Sequence, residues 1–164
     1  MTEMLWGSLE GRTFHRMRGE VLEQAVRMEH LMGSAISAAY GQNASTAAEI
    51  QAEFLARMPI AQQISTLRRI LDTRELTPGY AFVIPVLTKI FELRNDLAHS
   101  IATGYDPDAR TINLVSMRKG REVPKSYEAL YVHWLVTDQA PVVESELREL
   151  YWHIAPQDEA WHEN

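Results

Sequence analysis

The side chains best suited to chemistry gather in one heptad of this 164-residue chain, Arg94-Asn95-Asp96-Leu97-Ala98-His99-Ser100. A guanidinium keeps its charge, so it can hold the non-bridging oxygens of a phosphate and stabilise charge that grows on them. Histidine titrates near neutral pH and serves as general base or acid. Asn95 and His99 are spaced i, i+4, so on a helix the amide can hydrogen-bond the imidazole and fix its tautomer. Together these groups make a chemically sensible phosphate site. A plainer account uses the same residues. Arg94 pairs with a core carboxylate such as Glu20, Glu23 or Glu29 on the first helix, and His99 is a helix C-terminal residue favoured by the macrodipole. Spacing alone favours the plainer account.

The heptad ends an apolar run, Ala81 to Ala98, that is too long for a strand and reads as a buried helix with Pro85 in its first turn or so. Projected at about 100° per residue, Phe82, Val83, Val86, Leu87, Ile90, Phe91, Leu93, Leu97, Ala98 and Ile101 fill one half of the wheel. Thr88, Lys89, Glu92, Asn95, Asp96 and His99 fill the other. Arg94 falls inside the apolar arc, roughly 140° from His99. A charge there needs carboxylates, carbonyls or an anion. The arginine can curl toward the histidine around a distorted helix end, or two copies of the chain can pool their groups at a shared cleft.

The other elements follow from apolar spacing and breakers. Residues 1–13 are a lead-in, and 14–40 form a long amphipathic helix closed by Gly41. Ser45 or Thr46 caps a second helix over 47–57 that ends before Pro59, and a third covers 60–73. Tyr105-Asp106-Pro107-Asp108 is a turn. Residues 111–116 alternate like a strand, Arg118-Lys119-Gly120-Arg121 turns back, and Val123 before Pro124 leaves a stub of returning strand. From Ser126 a final helical region runs to Ile154, divided by Pro141 near Gln139-Ala140. The tail, 156–164, is polar and acidic and is expected to fray. The expected architecture is all-α: an up-and-down bundle of about five helices over 14–155, with a small β-hairpin before the last.

Composition narrows the chemistry. The absence of cysteine excludes disulfides, thiolate catalysis and cysteine zinc sites, and fits a cytoplasmic setting. No run approaches a membrane span, and the N-terminus does not read as a signal peptide. A net charge of −6 argues against loose, charge-driven nucleic-acid binding. Arg68-Arg69, Arg118-Lys119 and Arg121 read as solvated surface. Six histidines show no HxxxH or HxH pair, and Glu149 with His153 lacks a third ligand, so no metal or other cofactor is expected. Neither a Gly-rich phosphate loop nor a nucleophile elbow is present. Tyr127, Tyr131, Trp134, Tyr151 and Trp152 read as core or interface rather than as base-stacking platforms.

The heptad resembles the signature of the HEPN superfamily, an arginine and a histidine separated by four to six residues near the end of a core helix, often written RNxxxH. The helix order over residues 14–155 is compatible. The resemblance implies a helical bundle, commonly a homodimer with paired motifs facing across the interface. It further implies a metal-independent endoribonuclease of toxin–antitoxin, phage-defence or RNA-processing type, acting on RNA and associated with an antitoxin or regulatory protein. Carried over by position, Arg94 and His99 are the catalytic pair, with Asn95 and Asp96 in support. The RNA 2′-hydroxyl would attack the adjacent phosphate, which makes DNA a non-substrate. A toxin subgroup carries a tyrosine two positions after the histidine, where this chain has Ile101, so modification at that position is not expected. Other members are non-enzymatic modules that bind RNA, nucleotides or proteins, and that is the rival expectation.

Overall fold

A computed structural model of the chain describes residues 9–106, 108–118 and 120–155. Of the lead-in expected over residues 1–13, residues 1–8 lie outside the described residues, as does the acidic tail, and 9–13 already belong to the first helix. The helices are α1 (Leu9–Tyr40), α2 (Ala44–Glu49), α3 (Ile60–Thr73), α4 (Val83–His99), α5 (Ala129–Trp134) and α6 (Ala140–Ile154). Between α4 and α5 lie β1 (Ser100–Asp106), β2 (Thr111–Arg118) and β3 (Arg121–Glu128), an antiparallel sheet in the order β1-β2-β3.

The all-α expectation with a two-stranded hairpin is therefore corrected: the sheet has three strands. α4 passes straight into β1 at Ser100, so the helix ends before Ile101, and Tyr105-Asp106 ends a strand rather than lying within a turn. A bulge between Ala102 and Gly104 breaks the alternation by which β1 is recognised. β3 is eight residues long, despite Pro124. An edge strand uses only part of its N–H groups for pairing, so the one a proline lacks is tolerated there. Asp106 accepts from the backbone N–H groups of Asp108 and Ala109 at 3.0 Å each, which shapes the β1–β2 connection. Gly120, with φ of 75°, supplies the left-handed residue of the tight β2–β3 turn.

By contact density the chain forms two compact units. The first comprises the described residues of Met1–Ala25 with Lys89–Ala140. Its core takes Phe14, Val21 and Ala25 from α1, Ile90, Phe91, Leu93 and Leu97 from α4, Ile112 and Leu114 from β2, and Val132 and Leu135. The second comprises Val26–Thr88 with the described residues of Pro141–Asn164, around Met28, Met32, Ile36, Leu67, Leu71, Leu87, Leu147 and Leu150. In that unit the N-cap of α2 is Asn43, not Ser45 or Thr46. Its Oδ1 accepts from the Thr46 N–H at 2.9 Å, and Thr46 Oγ1 accepts from the Asn43 N–H at 3.1 Å, a reciprocal cap. Gly41 lies so close to Ala47 that a Cβ would come within 2.9 Å of its backbone nitrogen. The division expected near Gln139-Ala140 is a π turn, Leu135–Gln139, after which Pro141 sits in the first turn of α6.

Candidate active site

The heptad occupies the last turns of α4, and its polar residues separate into two sets. Asp96 is 5% exposed. Lys125 Nζ donates to Asp96 Oδ1 at 2.6 Å and Oδ2 at 2.5 Å, and the Tyr127 hydroxyl donates to Oδ2. Lys125 and Tyr127 are alternate residues of β3, hence on one face of the strand, and both meet α4 through this carboxylate. Burial and the hydrogen bond to Asp96 raise the Tyr127 hydroxyl well above its ordinary pKa. Asp96 is thus a buried carboxylate with a cationic and a neutral donor, which anchors β3 to α4. The helical projection puts it on the polar half because a wheel treats the helix as isolated and carries no record of the arriving strand.

Arg94, Asn95 and His99 face outward. Arg94 is half-buried, and Asn95 and His99 are exposed. The Arg94 guanidinium donates through Nη1 to Asn95 Oδ1 at 3.0 Å. The guanidinium is thus held by its chain neighbour, no hydrogen bond joins it to His99 among the described residues, and α4 stays helical through His99, so neither of the two arrangements expected from the sequence is decided. Glu20 pairs instead with Arg16 at 2.8 Å, and no carboxylate among the described residues pairs with Arg94. Asn95 is held by the guanidinium, and no hydrogen bond joins it to His99 among the described residues. The tautomer-fixing role expected of Asn95 is not seen in this geometry.

The sequence gives no signal for a third basic group beside the motif. Arg18, half-buried on α1, donates through Nη2 to the Ala98 carbonyl at 3.3 Å, one residue before His99. Carbonyls at a helix C-terminus lack intrahelical partners and carry negative partial charge, so a cation there is favoured. Arg18 leaves further N–H groups available beside the heptad. The buried hydroxyl of Ser100, the residue after His99, has no hydrogen-bond partner among the described residues.

Other clusters offer less. His153 Nδ1 meets the Tyr80 hydroxyl at 3.1 Å, and no set of three His, Asp or Glu side chains among the described residues is placed to hold a metal. In the second unit a shallow cavity of about 240 Å³ is lined by Val26, Glu29, His30, Gly33, Gln51, Leu55, Ala56 and Gln63. Gln51 lies across it against His30, and Gln63 donates to the Leu55 and Met58 carbonyls at 3.0 Å, so its amides are engaged in structure. No helix among the described residues is long and apolar enough to cross a membrane. Compared with known protein families, curated proteins and solved structures, the chain matches none.

Proposed function

We propose that the chain is a metal-independent endoribonuclease in which Arg94 and His99 act on the phosphate backbone of RNA. One observation carries this reading: the Arg94 guanidinium is accessible, has no carboxylate partner among the described residues, and is held by Asn95, one turn before the exposed His99. A guanidinium held by a neutral amide keeps its full charge for an anion. His99 removes the proton of the 2′-hydroxyl, the 2′-oxygen attacks the neighbouring phosphorus, and Arg94 stabilises the pentavalent phosphate. The 5′-oxygen leaves and takes up a proton from solvent, so the products are a 2′,3′-cyclic phosphate and a 5′-hydroxyl. The reading calls for a homodimer that pools two motifs, in the cytoplasm, within a defence or toxin-type system with an antitoxin or other regulatory partner.

The test is incubation of wild type and His99→Ala with single-stranded and structured RNA in EDTA. Cleavage that survives the chelator and disappears in a still-folded variant is the expected result. A wild type that cuts nothing across a broad RNA panel overturns it. A second reading, a non-enzymatic RNA-, nucleotide- or protein-binding module, draws on His99 itself: no described group orients its imidazole, and general bases depend on orientation. Binding without cleavage in the same assay selects that module.

A further inference from the structure

In the first compact unit α1 packs through a stripe of residues at helical spacing, of which Phe14, Val21 and Ala25 are buried. Arg18 falls in that stripe, four residues after Phe14 and three before Val21. A guanidinium at such a position keeps its charge and must find an acceptor. Among the described residues no carboxylate pairs with it. Its partner is the Ala98 carbonyl of α4, 3.3 Å from Nη2.

That carbonyl has a particular place. A helix continued past His99 would bond it to the Ala102 N–H, but Ala102 lies in β1. The oxygen is thus one of the orphans of the helix end, where negative partial charge collects. It also belongs to the same planar peptide unit as the N–H and Cα of His99. Holding the oxygen fixes that plane, and with it the Cα from which the imidazole projects. On the other side of His99, Ser100 opens β1 and is paired with Ser116 of β2. His99 is therefore bracketed: α1 holds the peptide before it through Arg18, and the sheet holds the residue after it. No described group orients the exposed imidazole itself, so the ring inherits its placement from the backbone.

We infer that Arg18 is a positioning residue for His99: by holding the Ala98 carbonyl it fixes the peptide plane from which the general base projects. The inference rests on the ribonuclease reading and adds to it a residue on another helix. Arg18 acts through the backbone and touches no reacting atom. An ångström of misplacement at a reacting group costs about 10²-fold in rate, so one contact to one carbonyl is enough to matter.

The experiment compares steady-state RNA cleavage, and hydrogen exchange of the His99 amide, in wild type, Arg18→Met, Arg18→Gln and Arg18→Lys. Arg18→Met keeps an apolar stem in the stripe and removes every donor, and Arg18→Gln keeps a neutral amide on a shorter arm. Both should lower kcat by about 10²-fold with KM unchanged, because substrate binding does not pass through Arg18. Exchange at His99 should quicken by roughly 10- to 150-fold, the scale for losing a hydrogen bond from a charged group. Arg18→Lys still offers a charged donor to one oxygen and should recover most of kcat. A guanidinium that grips a phosphate by its fork is not replaced in this way. A folded Arg18→Met that cuts as wild type does overturns the positioning role and leaves the ribonuclease reading standing. A rise in KM at unchanged kcat makes Arg18 a substrate contact and overturns it too. So does a loss of activity in both neutral variants that only matches their unfolded fraction, since the contact is then a structural cap. If the wild type cuts no RNA, the ribonuclease reading and the positioning role fall together.

Discussion

Two flanks of the same helical turn meet opposite fates. Asp96 lies inside, with Lys125 on both carboxylate oxygens and Tyr127 on one of them. Arg94 and His99, two residues before and three after it, face outward, and the guanidinium has only the neutral Asn95 oxygen among the described residues. One flank has its charge answered by the fold; the other carries charge that the fold leaves unanswered. The inner flank holds the joint between α4 and the sheet, and the outer flank holds the unused capacity on which the proposed function rests. Substitutions should separate cleanly, with loss of stability on the inner flank and loss of activity on the outer.

The largest expected effect is on the outer flank. On the proposed reading His99→Ala removes the general base and should lower RNA cleavage by about 10²–10⁴-fold, while the urea midpoint stays where it is. A cleavage loss accompanied by an equal fall in stability would erase the division between the flanks. On the inner flank Asp96→Ala leaves Lys125 and Tyr127 without their acceptor. Urea denaturation should register a loss of about 3 kcal/mol, the scale for breaking a buried charge pair. Tyr127→Phe keeps the pair and removes one hydrogen bond to a charged acceptor, for about 1.5–3 kcal/mol.

Alkaline pH probes the inner flank without mutation. The folded state keeps the Tyr127 hydroxyl protonated beyond pH 10.0, where an ordinary tyrosine ionises. Its contribution is therefore complete below that pH and is lost as pH rises toward the folded value. Ultraviolet titration should find Tyr127 the last tyrosine to ionise, after Tyr80, whose burial also raises it, and that last step should be absent from Tyr127→Phe. The smallest effect belongs to Asn95→Ala, an exposed site whose change should move stability by less than about 0.5 kcal/mol. Free of its tether, Arg94 should bind substrate less well, so KM should rise more than kcat falls. The reverse pattern would place Asn95 in the chemistry itself.

The sequence disclosed the long helices because their apolar residues recur at spacings that only a helix brings to one face. It disclosed β2 for the corresponding reason, the alternation of Ile112, Leu114 and Ser116. β3 was hidden by Pro124, although its half-buried Val123, Lys125 and Tyr127 alternate with exposed neighbours. Reading a lysine as an inward residue requires knowing that a carboxylate awaits it. β1 was hidden by its bulge and by the helix that runs into it. Within the heptad, the outward placement of Asn95 and His99 was legible, while the hydrogen bond expected between them is not formed among the described residues. The roles of Asp96 and Arg18 were not legible, because each depends on a partner 29 or 80 positions away.

The direct passage from α4 into β1 has a mechanical consequence. His99 ends one hydrogen-bonding pattern and Ser100 begins another, with no loop between them. A flexible connection would absorb rotation of the sheet; a stiff hinge pin passes it on. With Asp96 bolted to β3 three residues earlier, any tilt of the three strands swings the imidazole with them. The strands and the histidine thus share one joint at the end of α4.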